Sequence, residues 1–539
     1  MDVPYPDLSF VDINSLAYSF EDISIHKVDN DKQKVIDTIV LPVLELMDQY
    51  KCLHPSYKDM LSYLGNHSKF NENWAQSINS HSLNVINETT TKLTEYSLQE
   101  PESSYGENSS RGHDLIDPVK RVIIIYLVTG NYASATSLLA QFSSNVQFYS
   151  QPITIEEFVS NRFMEFLLYS TMVNVETSWF SPTSSAAENA STFQISKTTG
   201  NGPKSATNSS VGASNSSIAN ANNKRGSIGS GNASTSKKDS IFKKATLYYT
   251  KNKHHFNSGQ SQSNYELACY WLICWLRLTD LFRKCEFTEF YQEFISLISI
   301  VPVRSTNSPL DVITDPAYSN LKSSLVIMFG ICSSLTLPFN QLSFLNHGEL
   351  ESTKITIIDL FTLGPESNKS MINSNLLLSH FYNVLVALSE TKFEKAKSLL
   401  DPTFTQKLQS CLGYIMPRRK SGTVSFLDFF IQTIDFKVFL MIMSNMKRIP
   451  RVRLLQFLGY SETRTDILEK LLQFMSAMNL GELGFGFDTV GDYFYKYDNP
   501  DRHVISARHE VEDLQQSLEG DSLGELVRGL LIERFFAVG

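Results

Sequence analysis

Cysteine is scarce in this chain. There are six in 539 residues (Cys52, Cys269, Cys274, Cys285, Cys332 and Cys411), and no two form a Cys-x-x-Cys pair. That spacing excludes a zinc ribbon and gives no sign of a disulfide framework. Cys269 and Cys274 sit beside Trp271 and Trp275 and read as buried helix. Free thiols in apolar surroundings point to a reducing compartment, the cytosol or the nucleus. Long apolar runs are also missing. Val122 to Val128 is short, and Trp271 to Leu281 is broken by Arg277 and Asp280, so nothing approaches the roughly 18 residues a membrane span needs. The opening Met1-Asp-Val-Pro-Tyr-Pro6 lacks the basic start and apolar core of a secretion signal. The net charge of -9 is small for this length and disfavours a dedicated nucleic-acid binder.

Catalytic signatures are absent as well. There is no His-x-His, and the one adjacent pair is His254-His255. There is no Gly-x-Ser-x-Gly and no phosphate loop; Gly481, Gly484 and Gly486 do not have the spacing of a dinucleotide turn. Glu510 and Asp513 read as solvated charges on a helix. The expectation is therefore a protein that is not an enzyme, with no cofactor, no metal and no small-molecule substrate.

What is present is helical periodicity. A hydrophobic fraction of 42% with 35 Phe can fill sizeable cores. Val35, Ile36, Ile39, Val40, Val43, Leu44 and Met47 recur at helical spacing, and 100–113 reads as a loop. Three segments look like helix–turn–helix units. In the first, Ile123, Ile124, Leu127 and Val128 precede a turn at Gly130-Asn131, then Tyr132, Ala135, Leu138 and Leu139 follow. The second runs from Trp271 to Leu297, with Phe282 and Phe287 around its turn. The third runs from Phe381 to Leu400, turning at Glu390-Thr391-Lys392. An aromatic after the turn and a small residue three positions on suit stacked helical hairpins. From Ser181 to Ser236, Ser, Asn, Ala, Thr and Gly dominate, and such a tract buries too little to offset its ordering entropy. It is expected to be a disordered, basic insert reaching about residue 260.

The last hundred residues are patterned differently. Phe436 to Met446 is an apolar helix broken at Ile449-Pro450; Val452 to Leu458 and Thr463 to Met478 are further helices. Leu483, Phe485 and Phe487 then alternate with Gly484 and Gly486, and Tyr493, Tyr495 and Tyr497 alternate after a turn at 488–491, which predicts a β-hairpin. Val504, Ala507, Val511, Leu514 and Leu518, then Leu523, Leu526, Val527, Leu530, Leu531 and Phe535, form a narrow seam suited to partner helices. Lys447, Arg448, Arg451 and Arg453 cluster before the third helix, but that helix offers Arg464 and Lys470 against Asp466 and Glu469, which is poor complementarity to phosphate.

A winged helix following helical repeats resembles the PCI domain. Phe329-Gly330-Ile331-Cys332-Ser333-Ser334-Leu335-Thr336, Phe381-Tyr382 with Lys392-Phe393 and Leu399-Leu400-Asp401, Phe429 to Met446, and Leu480 to Asp488 carry the likeness. It is nearest to the COP9-signalosome subunit-1 type and its proteasome-lid relatives, over roughly Asp117–Phe180 and Tyr265–Gly539. The resemblance implies an all-α, TPR-like repeat array, then a small α+β winged helix and a C-terminal helix. The expected layout is an N-terminal helical region (1–115), repeats (116–180), the insert (181–260), further repeats (261–425), the winged helix (426–500) and an assembly helix (501–539). It implies a non-catalytic scaffold in a COP9-signalosome-like complex that supports cullin deneddylation, in cytoplasm and nucleus. Its partners would be other PCI and metalloprotease-fold subunits, with no membrane and no nucleic acid. A proteasome-lid or initiation-factor-3 subunit and a nucleic-acid-binding adaptor are the alternatives. The expected interface comprises Leu483, Phe485, Phe487, Tyr493, Tyr495, Leu514, Leu518, Leu526 and Leu530.

Overall fold

The computed structural model describes residues 5–26, 32–65, 69–98, 114–146, 148–180, 235–258, 260–300, 306–343, 374–412, 426–460, 465–477, 480–481 and 484–496. These residues are mostly helical, and strands occur only near the end of the described range. The N-terminal part holds α1 (Phe10–His26), α2 (Lys32–Val35), which passes through a π-helical turn into α3 (Leu41–Tyr50), α4 (Tyr57–Leu64) and α5 (Glu72–Leu98). There follow α6 (Ile116–Val128), α7 (Tyr132–Asn145), α8 (Ile155–Asn161), α9 (Phe163–Phe180), α10 (Thr235–Lys251), α11 (Lys253–Phe256), α12 (Ser261–Arg283) and α13 (Phe287–Ile298). The next are α14 (Pro309–Thr314), α15 (Ser319–Thr336), α16 (Ser374–Ser389), α17 (Phe393–Leu399), α18 (Pro402–Leu412) and α19 (Phe426–Asn445). Packing passes down the chain: α5 on α6, α6 on α7, α7 on α9, α9 on α12, α12 on α13, α13 on α15, and α15 on both α16 and α19.

The three segments with helix–turn–helix patterning are helical hairpins closed by one device. In the first, Asn131 N–H donates to Tyr126 O and Gly130 N–H to Leu127 O. In the second, Glu286 N–H donates to Leu281 O and Cys285 N–H to Phe282 O. In the third, Lys392 N–H donates to Ala387 O and Thr391 N–H to Leu388 O. This is the Schellman geometry, which satisfies two carbonyls at a helix end and needs a left-handed residue at the turn. Gly130 (φ 75°) supplies it at no steric cost; Cys285 (φ 61°) and Thr391 (φ 58°) adopt it with a side chain. After each turn, Ala135, Phe290 and Ala396 are buried, and Phe290 meets Phe282 of the preceding helix edge-on.

The N-terminal residues do not stand apart. α1 packs on α3, α6 and α18, Asn14 donates to Leu127 O at 3.3 Å, and the Tyr318 hydroxyl donates to Pro6 O. One hydrophobic core runs from Leu8 to Phe494. Between α6, α9 and α12 it encloses charge. The Glu165 carboxylate, fully buried, meets Lys120 at 3.0 Å, Arg162 at 2.6 Å and the Tyr265 hydroxyl at 2.8 Å. Arg162 also forks onto Asp117 at 2.7 and 2.9 Å. Such a network is costly to break because any one removal leaves a buried charge unpaired. Next to it Glu266 accepts from Met164 N–H at 2.9 Å. Burial, reinforced by the Glu165 charge, pushes Glu266 up to about 8.

The expectation of a disordered insert up to about 260 is corrected by α10 and α11. Residues 181–234 lie outside the described part, but Thr235–Lys251 is helix. Ala245, Tyr248 and Phe256 are buried, Tyr249 stacks on Tyr270 at 4.3 Å, and the Arg277 guanidinium lies 3.9 Å over Phe242. His255, read as part of a flexible edge, is buried and bonded to Pro152 O at 3.0 Å. A few large aromatics on one face are enough to anchor this helix, although lysines dilute the local composition.

Candidate interaction surface

The last described elements grow out of α19. They are β1 (Arg448–Pro450), α20 (Arg451–Phe457), α21 (Thr465–Ala477), β2 (Phe485–Asp488) and β3 (Tyr493–Lys496). Pro450 ends β1 and opens α20, with an extended ψ of 139° and a φ that suits a helix entry. α21 buries Ile467, Leu471, Phe474 and Met475 and exposes Asp466, Glu469, Gln473 and Ser476, the i, i+4, i+7, i+8 pattern of an amphipathic helix. Phe474 stacks on Phe436 of α19 at 4.1 Å.

A polar joint fixes this unit to the helices before it. Asp435 of α19 accepts from Lys397 of α17 at 2.5 Å and from the Tyr460 hydroxyl just beyond α20. The Lys397 ammonium also sits 3.5 Å over the Tyr460 ring. Burial raises the Asp435 carboxyl above its ordinary value, and Lys397 and Tyr460 act against that rise. Two residues on, Lys437 is buried and donates to Ser334 O at 2.7 Å and to Leu337 O. It thereby places a cation donor at the C-terminal end of α15, where carbonyls lack intrahelical partners. Burial pushes Lys437 down to about 7.

The sheet is three-stranded and antiparallel, in the order β1-β3-β2. β3 pairs Tyr495 with Arg448, Phe494 with Ile449 and Tyr493 with Pro450 on one side. On the other it pairs Phe494 with Phe487, Tyr495 with Gly486 and Tyr493 with Asp488. Directly paired residues share a face. Ile449, Phe485, Phe487 and Phe494 therefore turn toward the helices: Phe494 is fully buried and lies 5.3 Å from Phe439 and 4.7 Å from Phe487. The other face carries Arg448, Gly486, Asp488, Tyr493 and Tyr495, with the Arg448 guanidinium 5.3 Å over the Tyr493 ring. The hairpin tip is tied twice. Asp488 accepts from Val490 and Gly491 N–H at 2.9 and 3.1 Å, and those backbone donors hold its carboxyl below the usual range. Arg451 Nε grips Asp492 at 2.9 and 3.0 Å. Val490 at the tip is 95% exposed.

No protein-family model and no curated protein matches this chain. The arrangement must therefore be read from its own residues, and it redistributes the expected interface. Leu483, Leu514, Leu518, Leu526 and Leu530 lie outside the described residues. Phe485 and Phe487 are half-buried against the core rather than presented outward. Tyr493 and Tyr495 are on the outer face, but their strand is central, because Arg448-Ile449-Pro450, read as a break, pairs as a third strand. Among the described residues only β1 and β2 are sheet edges, so Tyr493 and Tyr495 do not lie on an edge strand, and the outer side of β2 has no strand partner there. The room left by Gly486 is taken by the Tyr495 ring of the same sheet, so it is not a place of approach for another backbone. The half-buried Lys397 and Tyr460 and the buried Asp435 and Lys437 were missed; the lone Lys437 inside an apolar helix was the available signal. Among the described residues no group of three His, Cys, Asp or Glu side chains could hold a metal ion, and no helix is long and apolar enough to cross a membrane.

Proposed function

We propose that this chain is a non-catalytic scaffold subunit: a helical-repeat array ending in a winged helix of the PCI type. In this reading it works in a COP9-signalosome-like complex that supports cullin deneddylation in cytoplasm and nucleus. The observation that carries it is the order helix, strand, helix, helix, hairpin from α19 to β3, with sheet order β1-β3-β2, set on stacked helical hairpins. That order supports the winged-helix reading. The free side of β2, Phe485–Asp488, would pair with the corresponding strand of a sibling subunit; an exposed edge offers unpaired N–H and C=O groups as a template. The exposed side of α21 supports assembly over nucleic-acid reading, since Asp466 and Glu469 would face the phosphates.

The test is affinity purification of the tagged full chain from its native cells with mass spectrometry, alongside the neddylated fraction of cullins after its deletion. Recovery of PCI subunits with a metalloprotease subunit, and accumulation of neddylated cullin, is the expected result. Stoichiometric recovery of proteasome-lid or initiation-factor subunits, or an unassociated chain, would overturn it.

A further inference from the structure

Helix α10, which the composition hides, carries charge opposite to the chain as a whole. Residues 235–256 contain six lysines and one aspartate, in a protein of net charge -9. Lys243, Lys244, Lys251 and Lys253 are exposed and make no ion pair among the described residues. At 3.6 residues per turn, Lys244, Leu247 and Lys251 descend one stripe of α10, with Lys243 beside it. Leu247, between the lysines, is 55% exposed.

The neighbouring stripe, Tyr248, Asn252 and His255, holds the loop that connects α7 to α8. Asn252 Nδ2 donates to Ser150 O at 3.2 Å, and His255 Nε2 bonds Pro152 O at 3.0 Å. Asn161 bonds the Tyr149 N–H, the Tyr149 carbonyl and the Tyr248 hydroxyl, each at 2.9 Å. Glu157 Oε2 accepts from Ile153 N–H at 2.8 Å. This loop is pinned at several backbone groups between Tyr149 and Thr154, yet it leaves Ile153 85% exposed and Tyr149 39% exposed. A tethered segment that presents an aliphatic side chain to water is preorganised for contact, because less ordering entropy remains to be lost.

We infer that α10 and this loop form a docking surface for an acidic segment of a partner protein, one with carboxylates about two helical turns apart and a leucine-like residue between them. Lys243 and Lys244 at one end and Lys251 and Lys253 at the other match the charges; Leu247 and Ile153 take the apolar residue. An apolar centre with a charged rim is the usual anatomy of a protein–protein contact. Nucleic acid would engage the lysines but leave both aliphatic side chains uncovered. Exposed Glu156, three residues from Ile153, opposes an anionic membrane. The tract 181–234 of this chain is no counterpart, because Lys197, Lys204, Lys224 and Arg225 outnumber Glu188. The segment 497–539 is acidic, and the test must separate it from a partner.

Zero-length carbodiimide coupling of the full chain, purified with whatever accompanies it, joins lysine amines directly to carboxylates in contact. The expected products link Lys243, Lys244, Lys251 or Lys253 to an acidic, leucine-containing segment of another protein. A synthetic peptide of that segment should bind the purified chain, and K243E/K244E/K251E should weaken it by about tenfold or more. Leu247→Ser should weaken it at unchanged salt dependence. K243Q/K244Q/K251Q is the parallel variant, and matching circular dichroism melts show that each variant folds. Coupling confined to this chain, including to 497–539, would overturn the assignment. So would tighter binding of an oligonucleotide or phosphatidylserine vesicles than of the peptide, or a peptide affinity indifferent to the three lysines.

Discussion

The ring of Phe381 stands where a side chain on Gly330 would have to go. A Cβ on that glycine would fall inside van der Waals contact with Phe381 Cε1, and 3.2 Å from Leu385 Cδ1. Gly330 lies mid-way along α15, a position where glycine costs helix stability, and it is retained because α15 and α16 cross there at close range. Gly330→Ala is therefore expected to destabilise by about 1–3 kcal/mol through overpacking. Adding Phe381→Leu should recover part of that loss. Urea midpoints of the single and double variants measure both.

The turn at Thr391 predicts a change of opposite sign. Thr391 occupies the left-handed region at φ 58° in the same geometry that Gly130 adopts at 75°. Thr391→Gly should stabilise by about 1 kcal/mol by removing the β-branched side chain from that conformation. A higher urea midpoint with an unchanged m-value is the expected reading.

Glu266 makes stability depend on pH. Its folded pKa is raised to about 8 from 4.5, so between these values the native state holds a proton that the unfolded chain has released. Its contribution is complete below about 4.5 and is lost as pH rises through about 8. Relative to Glu266→Gln, the wild-type protein should lose up to about 1.4 kcal/mol per pH unit in that window. Paired denaturation curves at pH 5 and pH 8 would show it, and parallel curves would dismiss it.

Lys437 works the other way. Its folded pKa is lowered from 10.5 to about 7, so the unfolded chain binds the extra proton across that interval. Stability should rise with pH between these values, again by at most about 1.4 kcal/mol per unit, relative to Lys437→Met. Chemical denaturation at pH 7 and pH 9 is the measurement.

Phe485→Asp separates packing from docking. Phe485 faces the core alongside Phe487, so a carboxylate there should disrupt the sheet itself, lowering stability by about 2 kcal/mol or more. Loss of sheet protection in hydrogen exchange, confined to β1, β2 and β3, is the expected signature. Normal protection with selective loss of a partner would place Phe485 at an interface instead.

These relationships were unequally legible in the sequence. The helical hairpins could be read because each is local: apolar spacing of three and four, a turn, and a small or aromatic residue after it. The β2–β3 hairpin was visible from the alternation of Phe485 and Phe487 with glycines. β1 was not, because three residues ending in Pro450 carry little periodicity and pair only with a strand more than forty positions away. The order of strands, which decides whether Tyr495 lies at an edge, is a tertiary fact. α10 was obscured for another reason: its lysines interrupt the apolar pattern, and the surfaces it packs against, around Phe158, Tyr270 and Arg277, are distant in the chain.

The joint at Asp435 has a mechanical meaning. Lys397 comes from α17, Asp435 from α19 and Tyr460 from just beyond α20, so three elements are riveted at one largely buried point. A neighbour gripping β2 would hold the whole arm at a set angle, as a bracket holds a shelf. Loosening that rivet, for instance with Tyr460→Phe, would let the arm swing while every docking residue stayed in place.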